Sequence, residues 1–196
     1  SRNPAQAARK IPGARDYVAW QPEESGAWSA AIDGADGVIH CASASLNAKR
    51  WTDAYARESL RDRLTATRGL VNAIRQAKIK PSVFIHSSTQ GVYGFNVLND
   101  TPVDEDTPPG NDFWAKDNKM WEDESLHAEP FTRVVLPRIG FVLGATGGGL
   151  VRQVDLILKN QGGVSNPANA FVAWIHIRDL ARLSRFAVAT EQVRGP

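Results

Sequence analysis

Ser82-Val83-Phe84-Ile85-His86-Ser87-Ser88-Thr89-Gln90-Gly91-Val92-Tyr93-Gly94 is an apolar run that turns abruptly small, hydroxylated and glycine-punctuated. The first half predicts a buried strand. The second half brings adjacent serines and a Gly-x-Tyr-Gly turn to that strand's carboxyl end. In open α/β sheets, ligands bind outside the carboxyl ends of the strands. The stretch is therefore the expected ligand or active site.

The neighbouring segments supply the rest of a parallel sheet. Upstream, Val38-Ile39-His40-Cys41-Ala42 is a second apolar strand running into small residues. Between the two strands, Thr52 is a fitting N-cap for a long helix reaching about Gln76. Leu60, Leu64, Thr67, Val71 and Ile74 recur at helical spacing and predict one buried face. Lys78-Ile79-Lys80-Pro81 ends that helix. Strand, long helix, strand makes a βαβ unit with parallel strands.

Further along, residues 95–111 read as a polar surface loop with Asp104, Glu105 and Asp106. A helix is expected over 112–128, packing through Trp114, Met120, Trp121 and Leu126. Phe131 to Arg138 reads as a strand, residues 150–159 as a helix closed by Gln161-Gly162-Gly163, and Phe171 to Ile177 as a strand. A last helix is expected from Arg178. Near the start, a short helix or loop over 3–15, a strand at Asp16 to Trp20 and a short helix at Trp28 to Ile32 are expected. The alternation predicts a doubly wound parallel sheet.

The bulk numbers narrow the functional classes. The 196 residues are 42% hydrophobic and 22% charged, with net charge +2. That is ample for a packed core and gives no electrostatic reason to expect a nucleic acid partner. No apolar run is long enough for a membrane span. The default expectation is a cytoplasmic protein, with an organelle left open. A single cysteine, Cys41, rules out an intrachain disulfide; a small buried thiol is expected there. No histidine accompanies the loop carboxylates, so no metal site is expected.

Six segments together resemble the extended short-chain dehydrogenase/reductase superfamily, and within it the atypical, epimerase-family branch. They are Gly37 to Ala42, Arg50-Trp51-Thr52 with Arg61 to Val71, Ser87 to Gly94, Gly110-Asn111-Asp112-Phe113 with Trp121-Glu122, Arg138 to Gly144, and Trp174 to Leu180. They follow the family's order across nearly the whole chain. The resemblance implies a Rossmann-like NAD(P)-binding domain over 1–196, with substrate-side elements at roughly 144–178. It also implies a piece lacking the family's N-terminal glycine loop and its C-terminal part.

On that resemblance, Ser1 and Arg2 fall where the second strand ends. A cation there suits a ribose 2′-phosphate, which favours NADP over NAD. Cys41, Ala42, Glu58, Arg63, Ser87 and Val142 match positions near the cofactor. For Glu58 and Arg63 the plain alternative is a surface salt bridge; for Val142, core packing. Arg138 opens a run that passes beside the nicotinamide in the family. Gly147-Gly148-Gly149 lacks the lysine of a phosphate loop and matches a substrate-side turn. His40 reads as a polar group satisfied within the fold. Asp179 needs only a helix N-terminus to explain it.

Ser87 and Ser88 match the catalytic-serine region. The superfamily adds a tyrosine that passes a proton and a lysine four residues later that favours the phenolate. Here Trp114 and Asn118 stand at those positions. Indole is no general acid and an amide carries no charge. Lys116 and Lys119 point elsewhere on a helix. Ser88 and Tyr93 are then the catalytic candidates. Two functions follow: an NADP-binding oxidoreductase acting on a small carbonyl compound such as a sugar nucleotide, or a non-catalytic nucleotide-binding subunit of an oligomer or larger assembly.

Overall fold

The long helix between the two apolar strands sets the architecture. In the computed structural model, which describes residues 1–23, 26–43, 49–94, 102–162 and 171–196, this helix, α3, spans Asp53–Gln76. The Thr52 side chain accepts a 3.2 Å hydrogen bond from the Tyr55 amide at its start. It runs between β1 (Gly37–His40) and β2 (Val83–His86), which pair in parallel from Gly37 opposite Val83 to His40 opposite His86. β2 lies between β1 and β4 (Arg133–Val135). Earlier in the chain come α1 (Pro4–Lys10) and α2 (Ala27–Ala30).

These elements, except Val135 at the end of β4, belong to one compact unit, Ser1–His86 with Met120–Val134. All four residues of β2 are buried. On α3, Thr67, Leu70, Val71 and Ile74 are buried, while Leu60 and Leu64 are half-buried. Each fully buried aliphatic side chain contributes roughly 1.5–3 kcal/mol.

The second unit is Ser87–Lys119 with Val135–Pro196. It holds β3 (Ser88–Thr89), a 3-10 turn (Gln90–Tyr93), β5 (Arg138–Ile139), β6 (Phe141–Leu143), α5 (Gly149–Leu158), β7 (Trp174–His176) and α6 (Ile177–Ala189). β3 pairs with β5 and β6 with β7, both in parallel. Helix α4 (Phe113–Leu126) starts in this unit and ends in the first. The Asp112 carboxylate starts α4 by accepting from the Ala115 amide at 2.8 Å.

Several expectations change. Asp16 to Trp20 is no strand. Ser1 donates to Val18 O and accepts from the Trp20 amide, each at 3.0 Å, and one residue is no strand partner. Phe131 to Arg138 divides into β4 and β5 because Pro137 has no amide hydrogen to continue a ladder. The strand expected over 171–177 is Trp174–His176; it stops short of Ile177 because His176 becomes the N-cap of α6, its Nδ1 accepting from the Arg178 amide. Met120 is 49% exposed rather than packed. Residues 95–101, Ala44, Ser45 and Gly163 lie outside the described residues. Among the described residues no helix is long and apolar enough to cross a membrane.

Candidate functional site

In the second unit the strand ends bring Tyr93 and Arg138 into contact, with Ser88 in register beside Arg138. Parallel pairing sets Ser88 directly opposite Arg138. Ser88 is buried, and Tyr93, at the end of the 3-10 turn, is half-buried. Arg138 Nη1 donates a 2.9 Å hydrogen bond to Tyr93 Oη, and its guanidinium carbon lies 5.0 Å from the ring centroid. The same Nη1 donates to Glu105 O at 3.1 Å. A phenol with a cation held on its oxygen is equipped for proton transfer, because charge left on that oxygen has a fixed partner. Thr89 Oγ1 accepts from the Gly91 amide at 3.2 Å and starts the turn that carries Tyr93.

Asn118 is buried, and its Oδ1 has no hydrogen-bond partner among the described residues. Its Nδ2 faces Gly91 so closely that a Cβ on Gly91 would sit 2.7 Å away. Such a buried acceptor costs stability until a donor reaches it. Trp114 is half-buried, Lys116 exposed and Lys119 half-buried. Ser87 links β2 to β3 and is half-buried, as is Val142 on β6.

The first unit holds the remaining predicted residues. Ser1 and Arg2 are exposed, with Ser1 pinned to Val18 and Trp20. Cys41 and Ala42 follow β1. Cys41 is exposed, not a buried thiol, because the strand and its shielding end at His40. Glu58 pairs with Lys49 at 2.8 Å. Arg63 is no surface residue: it is 5% exposed, with its guanidinium carbon 4.8 Å from the Trp121 ring centroid.

Around Arg63 lies a buried polar cluster. Thr67 Oγ1 donates to Arg63 O at 3.0 Å and accepts from Trp121 Nε1 at 2.8 Å. A hydroxyl has one hydrogen, so His40 Nε2, 3.1 Å away, is the donor in that contact. His86 Nδ1 bonds Ser125 Oγ, and His86 Nε2 has no partner among the described residues. The two imidazole centroids are 5.2 Å apart. Burial pushes His40 down to about 4. Burial first, then the charges of His40 and Arg63, push His86 down to about 3. Both rings are neutral at pH 7.

Sequence reasoning missed the Arg138–Tyr93 contact. The two residues are 45 positions apart, one closing the turn after β3 and the other opening β5, and no local pattern links them. Among the described residues no cluster of three His, Cys, Asp or Glu could hold a metal ion.

A family model described as the NAD dependent epimerase/dehydratase family matches residues 2–195. The Arabidopsis thaliana epimerase family protein SDR39U1 homolog, chloroplastic, is 29% identical over 191 residues, covering 96% of this chain and 54% of that protein. The chain thus spans little more than half that relative's length. The crystal structure of human epimerase family protein SDR39U1 (isoform 2) with NADPH superposes with TM-score 0.75 at 28% identity, covering 84% of this chain and 56% of that one. The nucleoside-diphosphate sugar epimerase of Corynebacterium glutamicum gives TM-score 0.77 at 27% identity, covering 96% and 38%. The parallel α/β arrangement is accordingly Rossmann-like, and the chain belongs to the NAD dependent epimerase/dehydratase family.

Proposed function

We propose that this chain is part of an NADP-binding, epimerase-like oxidoreductase that reduces a small carbonyl compound, a sugar nucleotide being one class. The observation that carries the reading is the Arg138–Tyr93 hydrogen bond, with Ser88 in register opposite Arg138, in a chain 28% identical to a protein crystallised with NADPH.

The residues present suit a dinucleotide in part. The Arg2 guanidinium is exposed to receive a 2′-phosphate, with Ser1 beside it. In the first unit Cys41 and Ala42 follow β1, and in the second unit Ser87 precedes β3 and Val142 lies on β6. The Asn118 Oδ1 acceptor suits a ribose hydroxyl. Glu58 and Arg63 complete the proposed set, although Lys49 and Trp121 already engage them. NADPH, when bound, supplies a hydride. The chain's own part is to manage the proton. Ser88 Oγ donates a hydrogen bond to the substrate carbonyl oxygen, and Tyr93 Oη gives that oxygen its proton.

A second reading has its own observation. Trp114 and Asn118 replace the tyrosine and lysine of the superfamily, which favours a nucleotide-binding subunit without turnover. A ligand well above its dissociation constant would then stabilise the fold by a few kcal/mol. NADPH fluorescence titration with wild type and Arg2→Ala tests the shared claim: tighter binding of NADPH than NADH, with the difference lost in Arg2→Ala. Hydride transfer to sugar nucleotides or quinones that disappears in Ser88→Ala selects the enzyme. Tight binding with no turnover across that panel selects the subunit.

A further inference from the structure

The superfamily's lysine serves its tyrosine by placing a cation near the phenol. At the lysine's position stands Asn118, a neutral amide. The cation beside a phenol in this chain comes from elsewhere in the fold. We propose that Arg138 is the positioning residue for Tyr93, standing in for the absent lysine. This rests on the reading of Tyr93 as the proton donor.

Three features of the geometry support it. Arg138 Nη1 donates to the phenol oxygen at 2.9 Å, so positive charge sits on the atom that loses the proton. The guanidinium also lies 5.0 Å from the Tyr93 ring centroid, holding the ring as well as its oxygen. The arginine is itself fixed at both ends, by the β3–β5 register that sets it opposite Ser88 and by its 3.1 Å bond to Glu105 O. Two carboxylates neighbour the pair. Asp112 Oδ2 approaches Gly94 next to Tyr93, and its Oδ1 is held by the Ala115 amide. The Glu105 side chain is exposed. The phenol oxygen accepts from Arg138 Nη1.

The step balances with NADPH as reductant. The Tyr93 O–H bond breaks, its proton goes to the carbonyl oxygen, and the carbonyl carbon takes the hydride. The phenolate remains against Arg138 until water returns a proton. Arginine suits this role because it stays charged through the working pH range and its planar fork fixes direction.

The test needs no substrate. Solution NMR of the 196-residue chain carrying ring-13C-labelled tyrosine assigns Tyr93 as the signal lost in Tyr93→Phe. That signal is expected to move in Arg138→Gln, where both the hydrogen bond to the phenol oxygen and the cation over the ring are gone, with Arg138→Lys in between. Superimposable Tyr93 signals in folded wild type and Arg138→Gln would overturn the proposal, and if the glutamine variant does not fold, superimposable wild-type and Arg138→Lys signals do the same. Where NADPH turnover is measurable, Arg138→Gln should lose on the order of tenfold in kcat with little change in KM, and Arg138→Lys should recover part of it. Failure of NADPH to bind would sink the proposed function while leaving the NMR result standing.

Discussion

Trp121 Nε1 and Thr67 Oγ1 form a buried 2.8 Å hydrogen bond that ties α4 to α3. The same hydroxyl accepts from His40 and donates to Arg63 O. One small side chain thus satisfies groups on two helices and a strand. Thr67→Val keeps the shape and removes the oxygen, leaving the Trp121 and His40 donors buried without partners. The expected loss is roughly 2–4 kcal/mol, read from urea unfolding at pH 7, with Thr67→Ser close to wild type. Unchanged stability in Thr67→Val would show that the cluster contributes nothing.

The histidine pair sets the acid side of stability. His40 at about 4 and His86 at about 3 both lie below the ordinary 6.5. The unfolded chain therefore binds more protons than the folded one as pH falls below 6.5. The stabilisation is complete above 6.5 and is lost progressively as pH falls toward the folded values. Between pH 6.5 and 5, where carboxylates titrate little, the unfolding free energy should fall with a slope approaching two protons. Equal stability at pH 6.5 and 5 would contradict it.

Gly140 marks a close approach that a side chain would break. A Cβ there would lie 2.5 Å from Ala173 O and 2.8 Å from Ala173 C, both backbone atoms that cannot turn aside. Phe141, next in the chain, donates its amide to that same oxygen at 2.8 Å. Gly140→Ala should part β6 from β7 at this end, cost about 1–3 kcal/mol, and speed hydrogen exchange at the Phe141 amide. Wild-type protection at Phe141 would count against the contact.

What could be read in advance follows from how local each signal was. The bounds of α3 were legible because Thr52 starts it and Lys78 to Pro81 stop it, both within a turn of the helix. The β1–α3–β2 unit followed from periodicity alone. Asp16 to Trp20 misled because apolar alternation reports the chance of a strand and not the presence of a partner. For Arg63 only the surface alternative fails: a charge on a helix can read as surface, and the tertiary position of the Trp121 ring shows otherwise. Of the site, Ser88 and Tyr93 were visible as a strand end, whereas Arg138 over Tyr93 depended on the β3–β5 register.

The proton-transfer assignment meets its most direct test in one comparison. NADPH oxidation is measured with wild type and Tyr93→Phe against a panel of sugar nucleotides and quinones, both proteins checked for folding and NADPH affinity. Loss of the phenol should reduce kcat by about 10²-fold or more, with NADPH binding unchanged. Equal turnover by Tyr93→Phe and wild type would contradict the account.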